Sequence, residues 1–162
     1  MAPTFAFLES RNAHIITLNE VGKQFYAGLL SQKWVQERYW VAALGDATLT
    51  PGNLILSKLP IRKCIAHELK FSHKIVNIVE LVLPGTKHSV WLGTGHLKAG
   101  PAALFHRYRH GQVLEMTRQL GLQSPTPNYL IMGDLNIRDS EKEEIPELDV
   151  YTDLWTTLHP NE

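Results

Sequence analysis

Several things are scarce in this chain, and each scarcity removes a class of protein. One cysteine, Cys64, occurs in 162 residues, so no internal disulfide can form and a reducing compartment is the expected setting. No stretch approaches the ~20 consecutive apolar residues that a membrane-spanning helix needs, and no membrane partner is expected. The opening residues, Met1 to Glu9, carry no positive leader, and their apolar run is too short for a secretory segment. An intracellular location is therefore expected, with nothing to separate cytosol from nucleus. Nor is there an excess of charge: 16 Lys and Arg balance 16 Asp and Glu. Proteins that grip long duplex nucleic acid through many phosphates are usually basic, so non-specific coating of DNA is disfavoured. Internal repeats, low-complexity tracts and linkers are missing too, and the length suits one buried core. Residues 1–162 are expected to form a single domain.

What the sequence does contain is a series of short apolar runs separated by turn residues. Helices are predicted over 5–13 and 25–35, the second because Phe25, Leu29 and Leu30 share a face. Strands are predicted over 14–18, 38–44, 53–56, 62–69 and 75–83, with a polar loop at 45–52. The strand at 75–83 is apolar on both faces and is expected to be covered on both sides. Pro84-Gly85-Thr86-Lys87 reads as a turn that makes a hairpin with a strand at 88–93. A helix opening at Gly100-Pro101 is expected to run to Leu120, with Val113, Met116 and Leu120 as its apolar stripe. A strand at 129–132, an acidic loop at 141–147 and a helical piece around Leu154 complete the order. Strands bounded by helices indicate an α/β or α+β sheet protein with its helices outside.

The most informative segment is Gly133-Asp134-Leu135-Asn136, which follows the apolar run Tyr129-Leu130-Ile131-Met132. On an extended backbone, residues two apart point the same way, so Asp134 and Asn136 would share one side. Ile15-Ile16-Thr17-Leu18-Asn19 similarly delivers Glu20 at a strand end. Carboxylates placed this way suit a hard divalent cation and an oxygen-rich substrate such as a phosphate ester. Each residue also has a plainer use. Glu20 could flank a helix N-terminus, and Asp134 and Asn136 are common turn formers. The basic groups Arg62-Lys63, Lys70 with His73 and Lys74, and residues 106–110 could hold a few phosphates or simply be solvated. Cys64 reads as a small core residue, His67 and His73 as surface residues, and Ser57 and Lys58 as a structural strand end.

Four segments taken in order, Leu18-Asn19-Glu20, the run from Gly52 to Ile61, Thr94-Gly95-His96-Leu97 and the run from Gly133 to Asp139, resemble the endonuclease/exonuclease/phosphatase superfamily. These are Mg²⁺-dependent phosphoesterases with the DNase I-like fold. The extension Asn136-Ile137-Arg138-Asp139 looks most like the 5′-tyrosyl-DNA phosphodiesterase branch, which acts in DNA repair. The resemblance implies an α/β fold, a DNase I-like two-sheet α/β sandwich. It implies a hydrolase of phosphodiesters at nucleic-acid ends, with Mg²⁺, or Mn²⁺ in its place, as cofactor. Glu20 then matches the metal ligand. Asp134 matches the general base that deprotonates water, and Asn136 a donor to a non-bridging oxygen. His96 matches the histidine that hydrogen-bonds the phosphate, and Arg138 matches a substrate-binding guanidinium.

Some of the family pattern is missing. The family's opening strand with its active-site asparagine has no counterpart, because Asn12 falls in a helical context. The closing aspartate strand and terminal Ser-Asp-His are not present, and His159 lacks the flanking residues to replace them. The expected sandwich therefore lacks its first and last strands. Asn19 where many relatives have Gln, and Gly95 within the Thr94–Leu97 segment, are milder departures. These gaps motivate a second expectation, a catalytically impaired module that binds a phosphate ligand or a protein partner. Sphingomyelinase and inositol-phosphate phosphatase relatives share the same motifs, which read the phosphate and not what it carries.

Overall fold

The computed structural model describes residues 1–43, 52–70, 72–123, 128–142 and 144–160. Two sheets lie face to face. The first contains β1 (Ile15–Val21), β2 (Trp40–Ala42) and β3 (Gly52–Ser57), all antiparallel, in the order β1-β3-β2. The second contains β4 (Ile61–Glu68), β5 (Ile75–Val82), β6 (Ser89–Gly95) and β7 (Tyr129–Ile131), in the order β4-β5-β6-β7. Its first three strands are antiparallel, while β6 and β7 run parallel. A parallel pair needs a long crossover, and α4 (Ala103–Gln123) supplies it.

Apolar side chains on both faces of the central strands account for the layering. Ala42 and Ile55 from the first sheet meet Val79, Leu81 and Leu92 from the second. On the outer side of the first sheet, α1 (Ala2–Arg11), α2 (Lys23–Leu30) and α3 (Lys33–Arg38) lay Phe5, Leu29, Trp34 and Val35 over Ile16, Leu54 and Leu56. On the far side, Val113, Met116 and Leu120 of α4 cover Val76, Ile78 and Trp91. The result is helix, sheet, sheet, helix. As expected from its sequence, β5 is buried on both faces, from Val76 to Val79. Among the described residues no helix is long and apolar enough to cross a membrane.

Several elements depart from the expectations. The helix expected over 25–35 is two helices. The Ser31 hydroxyl donates to the Gly28 carbonyl at 2.8 Å, and Gln32 is extended with ψ 127°. The strand expected to stop at Leu18 continues through Glu20 to Val21. Helix α4 begins at Ala103 and not at Pro101, because Gly100 with φ 116° turns the chain before it. The polar loop expected at 45–52 falls, up to residue 51, outside the described residues. Cys64 is exposed and not in the core, since it lies on β4, the edge strand of its sheet, where residues 62–64 are all exposed.

The acidic segment is no loop. It contains α5 (Asp139–Lys142) and a single 3-10 turn, Pro146–Leu148. Its carboxylates are spaced three apart and meet a matching face of α4. Glu141 pairs with buried Arg109, Glu144 lies 3.5 Å from His106, and Glu147 lies 3.1 Å from His110. His106, Arg109 and His110 stand three and four positions apart and so share one side of a helix. These three groups are thus engaged inside the molecule.

Candidate active site

The parallel pairing of β6 with β7 brings the first two candidate residues together. Beyond the regular strands the ladder gains one more rung, an isolated bridge between His96 and Asp134, and Leu97 N–H donates to the Asp134 carbonyl at 2.9 Å. The two chains can run this close because Gly95 and Gly133 face each other. A Cβ on Gly133 would collide with the Gly95 carbonyl.

Glu20 arrives from the other sheet. Between Leu18, opposite Leu54, and Val21, opposite Gly52, the β1–β3 register shifts, so Asn19 and Glu20 together oppose Asn53. Such a bulge re-aims a side chain. Glu20 takes φ 56°, a left-handed conformation uncommon outside glycine. It does not cap α2, whose N-cap is Gly22 with no side-chain bond. Its Oε1 lies 3.5 Å from His96 Nδ1, while Asp134 Oδ2 lies 3.9 Å from His96 Nε2. Both carboxylates are more than half exposed, whereas the imidazole between them is only 13% exposed.

Asn136 reaches the same end by a turn and not along an extended strand. Its φ is 52°, its N–H donates to Asp134 Oδ1 at 2.9 Å, and its Nδ2 donates to the Leu97 carbonyl at 3.1 Å. This corrects the expectation of two side chains on one side of a straight backbone: an Asx-type turn sets their relation. Arg138 lies just before α5 and is exposed, outside the grouping of Glu20, His96 and Asp134.

Two features escaped the sequence. The first is a run of amides beneath the site. Asp134 N–H donates to Asn19 Oδ1 at 3.0 Å, Asn19 Nδ2 to Asn53 Oδ1 at 2.7 Å, and Asn53 Nδ2 to the Ile75 carbonyl at 2.6 Å. Asn77 Nδ2 returns a bond to the Asn53 carbonyl at 2.9 Å. The run joins the two sheets directly under Asp134. The second is Lys74, whose Nζ stands 3.2 Å from His96 Nδ1. Burial pulls the Lys74 ammonium below the ordinary lysine range. Glu20 pushes it back up, Lys98 draws it down, and Asp134 raises it again. A polar residue beside a strand-starting glycine was the one available signal for Asn53, and the position of Lys74 at the head of β5 was the one for the lysine.

No protein-family model matches the chain, and no curated protein is similar enough in sequence to match it. Solved structures do match. A truncated TDP2 from Caenorhabditis elegans is 22% identical, with a TM-score of 0.76 over 94% of this chain and 60% of that one. The TDP2 of D. rerio, complexed with a single-strand DNA product, is 15% identical, with a TM-score of 0.81 over 99% of this chain and 63% of that one. The catalytic domain of human Nocturnin, with bound sulfate, is 14% identical, with a TM-score of 0.72 over 96% of this chain and 65% of that one. The chain thus spans about three fifths of the length of these proteins. They are endonuclease/exonuclease/phosphatase-fold proteins, and the similarity to TDP2 agrees with the branch named from the motifs. The architecture is that of the DNase I-like two-sheet α/β sandwich, in part.

Proposed function

We propose, for a chain with the DNase I-like fold, that residues 1–162 form one partial domain of a Mg²⁺-dependent phosphodiester hydrolase acting on nucleic-acid ends, with a 5′-tyrosyl-DNA linkage as the favoured substrate. One observation carries this reading. Glu20 and Asp134, 114 positions apart in the chain (134 − 20), stand within 4 Å of opposite nitrogens of one shielded imidazole. The left-handed backbone at Glu20 supports it further, because strain of this kind is retained where the surrounding structure imposes it and clusters at working sites.

The residues present fit the metal. Among the described residues no three His, Cys, Asp or Glu side chains are gathered into a cage. Mg²⁺ needs none, since it keeps several waters and takes one or two carboxylates. Glu20 offers an exposed, hard oxygen donor and would hold the ion. Bound there, Mg²⁺ supplies Lewis-acid polarisation of a phosphoryl oxygen. Asp134, fixed through its own N–H on Asn19, would take the proton of the attacking water. Asn136 would donate to a non-bridging oxygen from its turn, and His96 would do so through Nε2. Arg138, exposed beside the turn, would contact the substrate beyond the reacting phosphate.

The test is hydrolysis of a 5′-phosphotyrosyl oligonucleotide and of a simple aryl phosphodiester, with Mg²⁺ and with a chelator, by the wild-type protein and by Asp134→Asn. Metal-dependent turnover that falls by about 10²–10⁴ in the variant, the scale of general-base catalysis, is expected. Wild-type turnover equal to that of buffer would overturn the proposal in favour of a module that only binds phosphate.

A further inference from the structure

We propose that Lys74 is a positioning residue that orients His96, holding Nδ1 as the acceptor and so leaving Nε2 as the N–H donor turned to the substrate; this rests on the hydrolase reading of the site. The argument begins with donors and acceptors. An ammonium carries three N–H donors and no lone pair, so the 3.2 Å approach of Lys74 Nζ to Nδ1 makes that nitrogen an acceptor. Glu20 asks the opposite of the same atom. Its carboxylate can only accept, and from 3.5 Å it would favour a proton on Nδ1. The lysine is nearer, and the glutamate stands at the outer limit of a hydrogen bond. With Nδ1 taken, the ring proton goes to Nε2, which faces Asp134 Oδ2 across 3.9 Å. That gap is too wide for a direct hydrogen bond, and a phosphate oxygen entering it would find an N–H donor already aimed.

The backbone around Lys74 is held for this purpose. Its carbonyl accepts from Leu69 N–H at 2.7 Å, and its N–H reaches Ser72 Oγ at 3.3 Å. Ser72 Oγ in turn accepts from Gln112 Nε2 at 2.6 Å, and Gln112 Oε1 accepts from Lys98 N–H at 2.9 Å. Gln112 is buried on α4, so one side chain of the helix secures both the turn before Lys74 and the chain just after His96. In the rest of this basic group, a side-chain contact is made by His73 and a backbone one by Lys70. His73 pairs with Glu68 at 2.8 Å, and Lys70 N–H donates to Glu115 at 3.0 Å. The fold thus brings the Lys74 side chain of this group to His96.

The experiment is a long-range ¹H–¹⁵N correlation spectrum of the histidine rings in metal-free protein, with His96→Gln to assign the signals. Wild type is expected to show the Nε2–H tautomer, Lys74→Arg to retain it, and Lys74→Met to gain the Nδ1–H form as Glu20 takes over. A wild-type ring already protonated on Nδ1, or one unchanged by Lys74→Met, overturns the proposal. Steady-state kinetics on the aryl phosphodiester add a second readout. Lys74→Met should lower kcat on the order of tenfold, the scale for groups that orient a working histidine, and Lys74→Arg should restore most of it. A wild-type protein without turnover would defeat the hydrolase reading, and the ring spectrum would still decide for or against Lys74.

Discussion

Gly133 is required by what stands opposite it. A methyl group there would meet the Gly95 carbonyl, a piece of backbone that cannot rotate away. Gly133→Ala is therefore expected to push β7 from β6, lowering stability by about 1–3 kcal/mol, as overpacking does, in urea unfolding. Turnover should fall as well, because the rung between His96 and Asp134 follows directly. Single residues were also where the sequence was most and least informative. Glu20, Asp134 and Asn136 were singled out from strand ends and turn residues and His96 from the family resemblance, and the fold gathers Glu20, His96 and Asp134 at one end of the sheets. Lys74 could not be found this way, because its importance is a distance to residue 96, and neighbours in sequence gave it the look of a solvated charge. The bond between Asn19 and Asn53 was hidden for the same reason: an amide's partner 34 positions away leaves no periodic trace.

At the scale of elements, the contact of α5 with α4 depends on one buried ion pair. The Arg109 guanidinium hydrogen-bonds Glu141 and holds its carboxyl below the usual carboxylate range, while burial works the other way. Because the folded value is the depressed one, the stabilisation is complete above the unfolded value of about 4.3 and disappears as pH falls through the folded value. Glu141→Gln should cost about 3–5 kcal/mol at neutral pH, the price of leaving a buried charge without its partner. Urea midpoints followed from neutral pH to about pH 3 should converge, wild type losing more than the variant. The sequence could not foretell this contact. An acidic stretch with a proline reads as loop, and only the α4 face places Glu141, Glu144 and Glu147 in register with His106, Arg109 and His110. The division between α2 and α3 was equally hidden, since Ser31 and Gln32 are ordinary in a helix and the break shows only in the extended backbone of Gln32. By contrast, the two-faced apolar pattern of β5 and the Pro84–Lys87 turn carried enough local chemistry to be read correctly.

For the molecule as a whole, cohesion lies between the sheets. Leu92 is fully buried there, whereas Leu158 on α6 (Leu154–Leu158) is 72% exposed. Leu92→Ala should cost about 2–5 kcal/mol, and Leu158→Ala should stay within about 0.5 kcal/mol, both measured by denaturant midpoint. The helix-outside, sheet-inside plan was legible because strands and helices alternate; the bulge and amide run that align the two sheets were not. The hydrogen bond from Asp134 to Asn19 spans 115 positions. Contacts between such distant residues form slowly, after long loops have closed. A chain still leaving the ribosome, with β6 already made, would hold Glu20 and His96 but not the carboxylate that completes them. The grouping of Glu20, His96 and Asp134 therefore comes together only once the chain beyond residue 134 has been made.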